Sequence, residues 1–294
     1  MSVKTMPTLT TLAVDLQPSK QGTIAWLTIN RPEALNALSG ELLREFALLM
    51  DYWSHPYSLL DDEAALPKDH PRVIILQSAG GKAFSSGVDI KASSLGIGGK
   101  SWDYYDIRSQ QLLSRLIEKI RAMPQPFIAA VDGFATGGGL ALALASDIRV
   151  ATKKSHFSAA FVRLGLTGSD MGTSFFAPRI AGFGLASEML LTGRLVTAER
   201  AYQVGMLNDL VDDAAALKAS ALSYANDMLA CSYKITKEQL NAAADGMSLR
   251  ATVTAENSHQ ILLVNDPVAA AQGNAWLDHI AQKSGKQRPR KSKL

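Results

Sequence analysis

Two glycine-rich turns are the segments of this chain whose residue types and spacing could position a ligand. The segments FSSGVDIK (84–91) and FATGGG (134–139) each follow a run of apolar residues typical of a buried strand. Glycine supplies positive φ angles or a close approach of the backbone, so either turn alone has a structural interpretation. Two such turns, each directly after a buried strand, together predict a functional site.

Known phosphate and metal motifs do not account for these turns. The chain has no GxxxxGK[ST] sequence, and GGGLAL lacks the spacing and the downstream acid of a dinucleotide-binding fingerprint. The histidines, at positions 55, 70, 156, 259 and 279, show no metal-ligand spacing. We therefore expect neither a metal site nor a nucleotide cofactor.

The composition is typical of a globular protein with one large core. The chain has 294 residues, of which 47% are hydrophobic, and a formal net charge of +3. No apolar run reaches the roughly 18 residues that a membrane span requires. Cys231 has no second cysteine with which to form a disulfide or a metal cluster. We expect no membrane span and a reducing or redox-neutral compartment.

The segment KSGKQRPRKSKL (283–294) is basic and contains no acidic residue. Because no aromatic residue interleaves with its charges, a solvated tail is favoured over nucleic-acid binding. Ser292, Lys293 and Leu294 match the tripeptide that the peroxisomal import receptor reads. We therefore expect the import receptor as a partner and the peroxisome as the location.

The hydrophobic pattern predicts an α/β protein. LTTLAVDL and TIAWLTI alternate apolar and polar residues around QPSKQG, which predicts a β-hairpin, and SGELLREFALLMDYW predicts a helix that Ser39 could cap. A strand–strand–helix rhythm over residues 9–160 predicts a spiral of such units, and the pattern is almost wholly helical after Thr173. We assign residues 1–200 to the core, 201–283 to a helical region and 284–294 to a flexible basic tail.

Five segments together resemble the signature blocks of the enoyl-CoA hydratase/isomerase (crotonase) superfamily, over roughly residues 10 to 265. They are NRPEALNALS, AFSSGVDIKA, PQPFIAAVDGFATGGGLALALASDIRVAT, GLTGSDMGTSFFAPRIAG and LTGRLVTAERAYQVGMLNDLV. The resemblance, nearest to peroxisomal dienoyl-CoA isomerase-like members, implies a spiral of ββα units and a CoA-thioester substrate without a separate cofactor. It also implies a helical C-terminal region that builds homotrimers, often paired as hexamers.

The resemblance also implies roles for individual residues. The family's oxyanion hole, a pair of N–H donors for the thioester oxygen, falls on the backbone of Val88 and Gly138. The residues expected to line the channel for CoA are Ser86, Asp89, Ile90 and Lys91. The acyl pocket is expected to include Ala141, Phe161 and Tyr105.

The acid–base residues depart from the family pattern. Hydratases carry one glutamate where this chain has Ala141 and a second where it has Phe161. Water addition needs one group to activate water and another to deliver a proton, so hydration by the two-glutamate route is not expected. Asp170 remains, at a loop position where related isomerases carry a functional aspartate. One carboxylate suffices for a 1,3-proton transfer, which favours double-bond isomerisation.

Three alternatives to isomerisation or atypical hydration by Asp170 stay open. Asp170 is also a suitable residue to cap the helix that begins near Gly172. A protein without both glutamates could bind acyl-CoA and catalyse nothing. Hydrolysis or carbon–carbon cleavage is a further reaction that the superfamily supports on the same scaffold.

Overall fold

The computed structural model describes residues 5–19, 21–54, 69–90, 107–230 and 233–283. Predictions for Lys91, Tyr105, Cys231, Ser292, Lys293 and Leu294 lie outside these ranges. Of the helices within the described ranges, none combines the length and the apolar character that a membrane span needs.

The chain divides into two compact units, residues 1–226 and 227–294. The sequence placed the boundary of the core at residue 200. The first unit extends further because Asp209–Val211 forms a strand that pairs in parallel with residues 150–152. This strand belongs to the main sheet, so the segment that carries it belongs to the core.

The described strands all lie in the first unit. They are β1 (Leu12–Ser19), β2 (Gly22–Ile29), β3 (Val73–Ser78), β4 (Ala83–Ser85), β5 (Phe127–Val131), β6 (Phe134–Thr136), β7 (Ile148–Thr152), β8 (His156–Ser158), β9 (Val196–Thr197) and β10 (Asp209–Val211). The helices that begin in this unit are α1 (Gly40–Trp53), α2 (Ile107–Ala122), α3 (Gly138–Ala145), α4 (Thr173–Thr192), α5 (Ala198–Gln203) and α6 (Ala214–Leu229).

The strands form two sheets whose order confirms the predicted spiral of ββα units. The larger sheet has the order β1-β2-β3-β5-β7-β10, and the smaller one has the order β4-β6-β8-β9. In the successive pairs β3/β4, β5/β6 and β7/β8, the first strand joins the larger sheet and the second joins the smaller. From β2 to β8 the pairings within each sheet are parallel. Each turn of the spiral therefore adds one strand to the larger sheet and one to the smaller.

Two local predictions are also confirmed. β1 and β2 form an antiparallel hairpin in which Leu12 pairs with Ile29, and the Ser19 hydroxyl donates to the Gly22 carbonyl at 2.7 Å. Ser39 caps α1 by accepting a hydrogen bond from the Leu42 N–H. The apolar face of α1 then lies in the core, where Phe46, Leu49 and Trp53 are fully buried.

The second unit is helical. Its helices are α7 (Tyr233–Ala244), α8 (Leu249–Val264) and α9 (Pro267–Lys283). Ser248 caps α8 through the N–H of Ala251, and Asp266 accepts a hydrogen bond from the N–H of Ala269 at 2.7 Å, near the start of α9. This agrees with the helical pattern predicted for the segment after Thr173.

Glu45 is a buried carboxylate on α1 that binds the segment before β1. Its Oε1 accepts hydrogen bonds from the N–H and the hydroxyl of Thr10, at 2.8 and 2.6 Å. Its Oε2 accepts from the N–H and the hydroxyl of Thr11 and from the N–H of Leu12, at 2.7 to 3.0 Å. Burial by itself raises the pKa of Glu45, but the hydrogen bonds from Thr10 and Thr11 outweigh it and hold the pKa below 4.5.

We expect Glu45→Gln to lower the free energy of unfolding by about 1–3 kcal/mol at neutral pH, because hydrogen bonds to a charged group are lost. The pKa of Glu45 is lower in the folded than in the unfolded protein. Its contribution to stability is therefore present at neutral pH and is lost as the pH falls through the folded pKa.

Urea denaturation of the wild type and the variant between neutral and acidic pH measures this difference. The control is Glu41→Gln on the same helix, where the exposed carboxylate lies 3.2 Å from the Thr10 hydroxyl, which donates to Glu45 over the shorter distance. A stability difference for Glu45→Gln that stays constant down to acidic pH would show that the ionised carboxylate is not the cause.

Candidate active site

The smaller sheet places the two glycine-rich turns side by side. β4 and β6 are parallel neighbours, with Ser85 opposite Ala135, and β8 lies on the far side of β6 with Ser158 opposite Thr136. Because the carboxyl ends of parallel strands meet at one edge of a sheet, the segments that follow them begin next to one another. This edge carries the candidate site.

The two turns pack backbone against backbone. Gly87 has a φ of +93°, and a Cβ at this position would lie 2.9 Å from the Thr136 carbonyl oxygen and 3.0 Å from the Gly138 nitrogen. A Cβ at Gly139 would lie 2.2 Å from the Ser85 carbonyl oxygen. A side chain at either position would force the turns apart, so both positions require glycine.

Val88 is held between two hydrogen bonds to Leu38. The Leu38 N–H donates to the Gly87 carbonyl at 2.7 Å, and the Asp89 N–H donates to the Leu38 carbonyl at 3.1 Å. These bonds use the main chain on both sides of Val88 and leave its own N–H without an acceptor among the described residues. This N–H is the first donor of the predicted oxyanion hole.

Asp89, which the resemblance assigns to the CoA channel, makes an ion pair that holds the main chain in place. Its carboxylate forms an ion pair with Arg31 at 2.9 Å, and Arg31 also donates to the Ala37 carbonyl at 2.6 Å. Asp89 is buried and does not line the pocket described below. The ion pair fixes the turn after Val88 to the segment that precedes α1.

Gly138 is the first residue of α3 and supplies the second predicted donor. Gly137 is the N-cap and offers no side chain to the first turn of the helix. The Gly138 N–H has no acceptor among the described residues. It lies at the positive end of the helix dipole, where negative charge is favoured.

One pocket brings several predicted residues together. It contains about 430 Å³ of empty space, including open solvent at its mouth. The residues that line it are Ser86, Gly87, Val88, Ile90, Gly137, Ala160, Phe161, Leu164, Leu166 and Asp170. Asp170 therefore shares this pocket with the first predicted donor and with the N-cap residue next to the second.

The two positions that carry glutamate in hydratases have different surroundings. Phe161 lines the pocket, and its Cε1 lies 3.4 Å from the position that a Cβ on Gly137 would take. Ala141, which was expected in the acyl pocket, is fully buried in the core and does not line this pocket. Ala141 belongs to α3, in which all eight residues are buried.

The carboxylate of Asp170 does not act as the N-cap of α4. The N-cap is Gly172, which makes no side-chain cap hydrogen bond. Oδ1 of Asp170 accepts a hydrogen bond from the N–H of Met171 at 2.7 Å and a short one from Nε2 of Gln110. The main chain of Asp170 does support the helix, since its carbonyl accepts from the Thr173 N–H at 2.9 Å.

Met171 follows Asp170 in the chain and lies against Gly138, the second predicted donor. It is a buried non-glycine residue with a positive φ of 48°, which costs energy for an L-amino acid. Its Sδ lies 3.2 Å from the position that a Cβ on Gly138 would take. No motif in the sequence signals the contact of Met171 with Gly138 or that of Gln110 with Asp170.

Residues 19–266 of the chain match the family model described as enoyl-CoA hydratase/isomerase. The chain belongs to this family. The arrangement of ββα units is accordingly the crotonase fold that the sequence predicted, and the relatives support an enzyme of this family. An acyl-CoA substrate is consistent with the family.

Individual relatives include both hydratases and an isomerase. The probable enoyl-CoA hydratase echA12 of Mycobacterium bovis is 36% identical over 245 residues, which cover 82% of this chain and 81% of that protein. A probable enoyl-CoA hydratase/isomerase from Mycobacterium abscessus has a TM-score of 0.74 and 31% identity, over 94% of this chain and 97% of that one. A monofunctional enoyl-CoA isomerase from M. smegmatis has a TM-score of 0.63 and 32% identity, over 82% of this chain and 97% of that one.

We expect Gly87→Ala to reduce turnover of an enoyl-CoA by about 10²-fold, because the new methyl group separates the two donors by a fraction of an ångström or more. The left-handed φ adds a cost of about 1–2 kcal/mol to folding. Steady-state kinetics and thermal denaturation measure the two effects separately.

Gly205→Ala is a matched control for this change. Gly205 has a φ of +79°, and a Cβ there would have no neighbour within 4 Å. This variant carries the same backbone cost without moving the turns, so its turnover should stay at the wild-type level. Equal activity of the two variants would contradict the role of the contact between the turns.

Proposed function

We propose that this family member isomerises the double bond of an enoyl-CoA thioester, with Asp170 as its single proton-transferring carboxylate. One observation carries the proposal. Among the described residues that line the pocket, Asp170 is the only one with an ionisable side chain. It shares that pocket with Val88, whose N–H would bind the thioester oxygen together with the N–H of Gly138.

The proposed reaction moves one proton between two carbon atoms of a 3-enoyl-CoA. Asp170 takes the proton from C2, and the electrons of the broken C–H bond move into the thioester to form a dienolate. The N–H groups of Val88 and Gly138 stabilise the oxyanion, by about 3 kcal/mol for each donor. Asp170 returns the proton to C4, a C2–C3 double bond forms and the carboxylate is regenerated.

The rest of the described lining supports an apolar acyl group. Phe161, Leu164 and Leu166 are apolar residues of the pocket lining, and Phe161 stands where the resemblance places the second glutamate of a hydratase. Leu164 and Leu166 are partly exposed at the pocket, so an acyl chain that covers them removes apolar surface from water. A straight or branched hydrocarbon chain suits this wall better than an acyl group with a second charge.

Hydration is the second candidate, and the relatives favour it. Several of them are named hydratases, such as the short-chain-enoyl-CoA hydratase of Clostridium acetobutylicum, which is 32% identical over 226 residues. For this chain, Asp170 would have to activate water without a second carboxylate at position 141 or 161. The two reactions differ in product, since hydration yields a 3-hydroxyacyl-CoA.

We expect Asp170→Asn to lose solvent-deuterium exchange into a 3-enoyl-CoA by about 10²-fold or more, because Asn cannot accept the proton. The variant keeps the size of the side chain and an oxygen that can accept from Met171. Its thermal stability and its affinity for acyl-CoA should therefore stay close to wild type. Mass spectrometry of the thioester in deuterium oxide measures the exchange.

Asp213→Asn is the control, since Asp213 accepts a hydrogen bond from the Ala216 N–H at 2.9 Å near the start of α6 and lies outside the pocket. Exchange by Asp170→Asn at the wild-type rate would contradict the proposal. Formation of 3-hydroxyacyl-CoA by the wild type would favour hydration. Tight acyl-CoA binding without any exchange by the wild type would indicate a non-catalytic binding protein.

We also propose that the chain assembles into homotrimers, singly or paired as hexamers. Large apolar side chains in and after the second half of α4 are exposed in the single chain: Phe183 is 78% exposed, Leu191 77% and Leu195 53%. Several exposed large apolar side chains within one segment are typical of an interaction site.

Light scattering on the purified protein at micromolar concentration should give the mass of a trimer or a hexamer. Leu191→Lys should shift the mass toward that of the 31.5 kDa chain, because a buried lysine without a partner is costly. A wild-type monomer would rule out the assembly.

A further inference from the structure

Gln110 contacts the proposed catalytic carboxylate from a different element. It lies in the first described turn of α2, and its Nε2 donates a short hydrogen bond to Oδ1 of Asp170. The two residues are 60 positions apart in the chain, so the contact depends on how α2 packs. Gln110 is half-buried, whereas its neighbour Gln111 is exposed.

The apolar face of α2 fixes the position of Gln110. Leu113 and Ile117 follow it at spacings of three and four residues, so the three side chains lie on one face of the helix. Leu113 is fully buried and Ile117 nearly so. Ile117 Cγ2 also lies 3.6 Å from the position of a Cβ on Gly172, so the same face contacts the loop of Asp170.

Two donors bind the same oxygen atom of the Asp170 carboxylate. Oδ1 accepts from the main-chain N–H of Met171 and from the side chain of Gln110, whereas Oδ2 has no hydrogen-bond partner among the described residues. A carboxylate with one oxygen held by two donors cannot rotate freely about its last side-chain bond. Its other oxygen then keeps one direction.

We propose that Gln110 is a positioning residue that holds Oδ1 of Asp170 so that Oδ2 is the atom that takes up and returns the proton. This inference rests on the proposed catalytic role of Asp170. Oδ2 removes the proton from the substrate carbon, the C–H electrons remain with the dienolate, and Oδ2–H then delivers the proton to the second carbon. Gln110 exchanges no proton in either step.

A hydrogen bond of this kind acts on the rate more than on binding. Small errors in the direction of a proton-transferring atom reduce the rate strongly, by up to about 10²-fold for a shift of 1 Å. Affinity for the acyl-CoA depends on the rest of the pocket, which Gln110 does not line. Loss of Gln110 is therefore expected to lower kcat while KM stays nearly constant.

The test is a double-mutant cycle on the full-length protein with a straight-chain 3-enoyl-CoA in deuterium oxide. Gln110→Met keeps the length of the side chain and removes the donor, and Gln110→Ala removes it without adding bulk. The matched control is Gln111→Met, one residue further along the same helix. Each variant is also combined with Asp170→Asn.

We expect both Gln110 variants to lower the exchange rate by about tenfold or more, with KM within about twofold of wild type. The melting temperature should stay near that of Gln111→Met. In the Asp170→Asn background the Gln110 substitutions should cause no further loss, because Gln110 acts only through that carboxylate.

Other outcomes separate the two proposals. If Asp170→Asn is slow but the Gln110 variants exchange at the wild-type rate, the positioning role is wrong and the proposed function stands. If the Gln110 variants lose the same factor in both backgrounds, their effect is a general structural one and the positioning role is again wrong. If Asp170→Asn itself exchanges at the wild-type rate, both proposals fail.

Discussion

The contact between the turn at Gly87 and the start of α3 is the constraint on which the rest of the site depends. Both predicted donors are main-chain N–H groups, so the distance between two backbones sets the geometry of the oxyanion hole. The spiral provides this distance, because β4 and β6 are parallel neighbours and end at the same edge of the smaller sheet. Gly139 lets α3 begin against Ser85, and the ion pair of Arg31 with Asp89 holds the other turn.

This arrangement makes the donors independent of the side chains around them. A carboxylate can be lost from the pocket without moving an N–H group that belongs to a strand end or a helix start. The same scaffold can therefore keep its thioester site while the acid–base group changes position. The carboxylate that we propose for this chain, Asp170, lies in the loop before α4, and Met171 packs that loop against Gly138.

The sequence predicted those parts of the structure that depend on local pattern. Alternating residues predicted the hairpin of β1 and β2, the Ser39 side chain predicted the start of α1, and the glycine-rich turns predicted where the backbone would approach a site. The placement of Phe161 and Asp170 in one pocket followed from the family resemblance. These signals work because spacing along the chain reflects the period of a strand or a helix, or marks a turn.

The contacts that the sequence did not predict join residues far apart in the chain. Glu45 binds Thr10 and Thr11, and Gln110 binds Asp170, through hydrogen bonds that no local pattern signals. The assignment of Asp89 to the CoA channel rests on its place in the motif, whereas its ion pair with Arg31 is a contact that no local pattern signals. The place of Asp209–Val211 in the first unit likewise depends on the pairing of β10 with β7, a long-range contact.

Ala141 and Phe161 stand where the resemblance places the two glutamates of hydratases. The loss of these carboxylates affects both stability and chemistry. Carboxylates that share a desolvated pocket oppose one another's ionisation, and a fold that holds them bears that cost. Ala141 in the core and Phe161 at the pocket wall remove it and add apolar packing instead. In the mechanism we propose, Asp170 carries every proton transfer alone, so its direction matters more than in a site where two groups divide the work. A neutral side-chain donor from a well-packed helix is suited to that requirement, because it fixes one oxygen of Asp170 and places no second charge beside the other.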